Sequence, residues 1–135
     1  MKLGGNNMKK FITLALVLHL CLMPLISLAA INADAEFRSA SITLTSGKLV
    51  VYSANLYGDK ESISVVSADL YREVAPDDWE FVCSLPVPSH VAHNVSSYGA
   101  YVDCSAYIGT GTFRITATYE ADGYQITRNS NERSF

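Results

Sequence analysis

From residue 37 onward, apolar and polar side chains alternate with a period of two, in short runs separated by Gly, Asp, Asn and Pro. A strand with one buried face requires that period, because successive side chains leave opposite sides of the pleat. The cleanest run is 112–119, where Phe113, Ile115, Ala117 and Tyr119 alternate with Thr112, Arg114, Thr116 and Thr118. Gly109-Thr110-Gly111 opens this run and Asp122-Gly123 closes it, which predicts a hairpin into a last strand beginning at Tyr124-Gln125-Ile126. Upstream, 37–44 places Ala40, Ile42 and Leu44 on one face. Ser46-Gly47 then turns the chain into 48–56, with Val50, Tyr52, Ala54 and Leu56 facing inward. A turn at Gly58-Asp59-Lys60 leads to 62–72, in which Val66, Ala68 and Leu70 alternate with Ser67, Asp69 and Tyr71. After a turn at Pro76-Asp77-Asp78, Trp79, Phe81, Cys83 and Leu85 share a face, and 98–108 puts Ala100, Val102, Cys104 and Ala106 on one face of another strand. Seven short strands punctuated by turns predict an all-β chain folded as a single small antiparallel β-sandwich of immunoglobulin-like architecture, with a small β-barrel as the alternative. The Cys-Trp-Cys order of antibody domains is absent, since Trp79 precedes both Cys83 and Cys104.

The first 35 residues break this pattern. Lys2, Lys9 and Lys10 precede the apolar block 11–23, which is followed by Pro24 and small residues, the layout of a secretory signal peptide. Ala33-Asp34-Ala35 has small side chains at both positions that cleavage demands, and Ser27-Leu28-Ala29 lies nearer the apolar block; the cut is expected between Ala29 and Ala35. Cys21 follows Leu20 rather than a small residue, which argues against lipidation, so Cys21 is expected to leave with the signal. The block 11–31 is about the ~20 residues a membrane span needs, but His19 and Pro24 weaken a spanning helix and the small residues after Ser27 favour processing. The expected organisation is a signal peptide over 1–35 and one domain over 36–135, secreted to the medium or held at the cell envelope, with no membrane contact after cleavage.

Charge narrows the partners. From Glu36 on there are twelve acidic and seven basic side chains, a mildly negative domain with no basic footprint for nucleic acid or anionic lipid. Without Cys21, Cys83 and Cys104 remain as an even pair in an exported chain, and a disulfide is the expectation. A loop of 22 residues closed in this way contributes roughly 3 kcal/mol in the chain-entropy model. Neither cysteine has a second one two to four residues away, which disfavours zinc.

Candidate chemistry is sparse. His90-Val91-Ala92-His93 could present two imidazoles on a helix, but it follows Pro86 and Pro88, reads as a loop and lacks further ligands, so no metal site is expected. No serine or cysteine sits in a nucleophile turn, Asp77-Asp78 and Asp59-Lys60-Glu61 read as solvated turns, and Gly109-Thr110-Gly111 lacks the lysine and helix of a phosphate cradle. The expectation is therefore a non-enzyme with no cofactor. Tyrosines are the better lead: Tyr57, Tyr71, Tyr101 and Tyr107 fall on polar faces, where rigid amphipathic rings can contact a glycan or a protein, although cross-strand packing also explains them. Asn94-Val95-Ser96 is a glycosylation acceptor only in a eukaryotic source.

The runs Tyr52-Ser53-Ala54-Asn55-Leu56-Tyr57 and Ser67-Ala68-Asp69-Leu70-Tyr71-Arg72, with Trp79 after its acidic turn and Gly111 to Tyr119, resemble a loose group of small secreted proteins of Gram-positive gut bacteria with no assigned function. The likeness covers about 48–126 and its motifs specify strands. It implies a β-sandwich in a bacterial envelope or medium and carries over no site residue. Two roles are expected in order: a non-catalytic interaction module for a protein or glycan, and a secreted inhibitor or immunity-type protein whose Pro-flanked loop 85–91 enters the cleft of an extracellular hydrolase.

Overall fold

A computed structural model describes residues 36–135; the expected signal segment, its expected cleavage site and Cys21 lie outside the described residues. The elements are β1 (Phe37–Leu44), β2 (Leu49–Lys60), β3 (Ile63–Ala75), β4 (Asp78–Ser84), β5 (Val95–Asp103), β6 (Thr112–Ala121), β7 (Tyr124–Asn129) and β8 (Arg133–Ser134). They form two antiparallel sheets, one ordered β1-β2-β5 and the other β4-β3-β6-β7, with the short β8 pairing the start of β6. The all-β, two-layer expectation is met.

The alternation in β6 is obeyed without exception: Phe113, Ile115, Ala117, Tyr119 and Ala121 are buried, and the residues between them are not. Ile42 and Leu44 of β1 and Val50, Tyr52, Ala54 and Leu56 of β2 meet them from the facing sheet. Burying this apolar area from two sides is what makes either sheet stable, since neither could hide a face alone. Three tyrosines converge in the middle. Tyr119 makes edge contacts with Tyr52 and Tyr98, at centroid distances of 6.2 and 6.3 Å, and its hydroxyl crosses to the facing sheet. There it donates to the Ser41 carbonyl at 2.6 Å and accepts from the Ser53 amide at 3.0 Å. Because Ser41 and Ser53 are register partners, the phenol sits at the β1–β2 seam and ties the layers together.

Bulges change which residues face inward. A register shift between Val65 and Ser67 adds a residue to β3, so Val65 is buried and Val66 is exposed, the reverse of the strict alternation. In β4 the partners run Leu70 with Cys83 and then Tyr71 with Phe81, passing over Val82. Cys83 and the following Leu85 therefore turn inward, whereas Trp79 and Phe81 turn out, so the single face expected for these four residues is split. Two further boundaries move. β2 runs on through Gly58, at φ 80°, so the turn falls after Lys60, and β5 ends at Asp103, leaving Ala106 exposed in a turn. The chain end, unread in the sequence, closes the other edge. The Asn131 side-chain amide accepts from the Leu44 amide at 2.8 Å and donates to the Leu44 carbonyl at 3.1 Å, which also receives the Arg133 Nε at 2.9 Å.

The expected Cys83–Cys104 disulfide is not formed; both are free thiols. Cys83 belongs to the edge strand β4 and Cys104 follows β5 in the opposite sheet, where its amide donates to the Lys48 carbonyl at 3.0 Å. Packed sheets lie about 10 Å apart, while a disulfide needs its Cα atoms within about 4.4–6.8 Å, so facing the same interior is not sufficient. Burial, with smaller contributions from the Asp103 and Cys83 charges, pushes the Cys104 thiol up to about 11. A thiol-alkylating reagent is accordingly expected to label half-exposed Cys83 in the native protein and Cys104 only after unfolding. Equal intact masses with and without reductant should accompany this; a two-proton difference would show that the sulfurs bond.

Candidate binding face

The outer face of the larger sheet gathers what the bulge in β4 turned outward. Register places Tyr71 between Phe81 on one side and Arg114 on the other, with Trp79 next along β4 opposite Glu73. The Tyr71 and Phe81 rings meet edge to face at 5.9 Å. The Arg114 guanidinium lies 4.4 Å from the Trp79 centroid and 5.9 Å from that of Tyr71. Stacking of this kind contributes about 0.5–2 kcal/mol according to how far water is excluded, and it needs arginine's planar, weakly hydrated head.

Arg114 is incompletely paired. Its Nε is buried without a hydrogen-bond partner, and its guanidinium forms no ion pair among the described residues. The carboxylates that β3 carries on this side are committed elsewhere: Asp69 accepts from the Ser84 hydroxyl at 2.7 Å and Glu73 from the Asp77 amide at 3.3 Å. Beyond Arg114 the face continues as hydrogen-bonded pairs, Thr116 to Asn129 at 2.7 Å and Thr118 to Thr127 at 2.8 Å. The arrangement is a strip offering ring surface (Phe81 is 54 % exposed), hydroxyls, and a guanidinium with no carboxylate of its own.

The four tyrosines singled out in the sequence are not brought together. Tyr71 joins the strip. Tyr101, 71 % exposed, stands on the outer side of β5 in the other sheet; Tyr57 lies near the far end of β2; Tyr107 is in the turn after Cys104. Phe81, Trp79 and Arg114 complete the cluster, and none of the three is legible in the sequence, because alternation puts the two rings on the face of Cys83 and Leu85 and the arginine in a polar row. The two histidines are also separated in role: the His90 ring stacks on Tyr98 at 5.9 Å, and His93 Nδ1 lies 2.9 Å from the Glu61 carbonyl oxygen. The loop bearing them is tied down, with Leu85 and Ala92 buried, Ala92 bridged to Ile63, and the Tyr98 hydroxyl donating to the His90 carbonyl at 3.0 Å. No helix among the described residues is long and apolar enough to cross a membrane.

Compared with protein-family models, curated proteins and solved structures, the chain matches none.

Proposed function

We propose that the chain is an exported, non-catalytic interaction module of immunoglobulin-like architecture that takes a protein or glycan on the outer face of the β4-β3-β6 sheet. The single observation that carries this reading is the Tyr71–Phe81–Trp79–Arg114 cluster: aromatic rings and an arginine without a carboxylate, half-buried beside an exposed Phe81 on the outer side of the sheet. Supporting the architecture is the strand order, three strands in one layer and five in the other, the short β8 included, with the chain crossing between layers after β2, β4 and β5. Export rests on the basic and apolar leader, and the resemblance to small secreted proteins of Gram-positive bacteria agrees with it. The inhibitor reading draws no support from loop 85–91, which is held against the body rather than projecting.

The test is retention on washed cell walls and on arrayed host glycans, measured against an unrelated sandwich of similar charge. Phe81→Ala and Arg114→Gln, each first shown to keep the wild-type unfolding midpoint to within a few degrees, are expected to weaken retention at least tenfold, as centrally placed aromatic and arginine contacts do. Retention no greater than that of the control protein, or undiminished in both variants, would remove the strip from consideration.

A further inference from the structure

A second surface, which shares only Phe81 with the strip, lies at the end of the sandwich where the turn after Cys104 approaches β3 and β4. It is a groove of about 430 Å³ lined by Arg72, Glu80, Phe81, Val82, Tyr107 and Phe113, among others, within the ~300–1,000 Å³ typical of small-ligand sites. Three observations make it more than a dent. First, Arg72 and Glu80 are register partners on adjacent strands, an arrangement in which opposite charges ordinarily pair, yet they form no ion pair. Second, the Arg72 side chain is drawn the other way, across the backbone of Gly111. A Cβ there would stand 2.9 Å from the Arg72 Nε, and the glycine holds a φ of 135° that other residues rarely adopt. Third, the walls beside the two charges are aromatic and aliphatic: Phe81, Val82 and Tyr107 are 54, 43 and 44 % exposed, and Phe113 closes the base.

We infer that this groove binds a free α-amino acid with a large apolar side chain. A carboxylate suits Arg72, whose planar head pairs with it in two parallel hydrogen bonds. Glu80 suits the ammonium group one carbon away, and a side chain on that same carbon reaches the rings. An anion alone would meet Glu80 and a cation alone would meet Arg72, so the pair selects for both charges on one small molecule and against either by itself. A hydrocarbon would leave both charges facing an apolar surface.

The decisive experiment is an amide-resonance NMR titration of the domain with L-phenylalanine to about 10 mM, run beside phenylacetate, which lacks the ammonium, and phenethylamine, which lacks the carboxylate. A Kd of about 1 mM or tighter is expected, since small ligands gain little more from an open groove. Shifts should centre on Gly111, Tyr107 and Arg72, and each single-charge analogue should bind at least tenfold more weakly. Arg72→Gln and Glu80→Gln, both exposed and so tolerated by the fold, should each weaken phenylalanine binding tenfold or more. Absence of a saturable shift, equal binding by either analogue, or binding unaffected by either substitution would overturn the inference.

Discussion

Tyr119→Phe is expected to destabilise the domain by about 1–3 kcal/mol, whereas Tyr52→Phe leaves stability unchanged or raises it, although both remove one buried phenolic oxygen. The difference lies in what each hydroxyl touches. That of Tyr119 bonds the Ser41 carbonyl and the Ser53 amide from the opposite layer; these two groups also face each other as register partners across the β1–β2 ladder, so its loss removes the inter-layer bonds without stranding the main chain, at a cost of about 1–3 kcal/mol in all. The hydroxyl of Tyr52, on a residue with no exposed surface, has no hydrogen-bond partner, so deleting it returns a desolvation cost already incurred, less a small cavity term. For a domain this size the Tyr119 change corresponds to a drop in Tm of roughly 10 °C. Urea unfolding of both variants gives the comparison directly. Equal losses would mean that the inter-layer hydrogen bonds do not distinguish the two rings.

The same seam shows why part of the fold was legible in the sequence. In β1, β2 and β6 one face is buried along most of the length and the other is solvated, and a slip of one residue would reverse every side chain; Ile42, Tyr52 and Ile115 are therefore where alternation places them. β3 and β4 obey a different constraint. An inserted residue costs no hydrophobicity, so Val66 looks like a core residue until Val65 is seen to occupy the core position. The candidate strip inherits that difficulty. Trp79 and Phe81 alternate with Cys83 in the sequence and face away from it in space, because the chain adds Val82 at an edge strand, where bulges also discourage pairing with another molecule. Arg114 was visible only as one polar residue in a strand of threonines. Its significance depends on two rings from β3 and β4 that no local period connects to it. Likewise, Asn131 acts on the edge of β1 through 87 residues of intervening chain, and its amide mimics a strand partner only because β7 brings the terminus there.

Alkaline unfolding is the second large effect expected, and its direction follows from the same core. Burial raises the Tyr52, Tyr98 and Tyr119 phenols above their ordinary value near 10, with Tyr119 pushed up to about 12, because the anion would lie among apolar neighbours. The protonated phenols are the forms the fold favours, so their contribution is fully present below pH 10, the unfolded value, and is lost as pH rises from there through about 12. In this window the unfolded chain releases protons that the folded chain retains, and stability must fall with pH. Thermal midpoints of the wild type should thus be independent of pH as far as these phenols are concerned near neutrality, where all three are protonated, and decline steeply above pH 10. Part of the tyrosinate absorbance should appear together with the loss of near-ultraviolet dichroism. Tyr52→Phe separates this from general alkaline damage: with one buried phenol fewer to ionise, it should unfold at a higher pH than the wild type while matching or exceeding it near neutrality. Complete ionisation of all eight tyrosines with the dichroism intact would show that the central cluster admits charge or water, contrary to its packing between the two sheets.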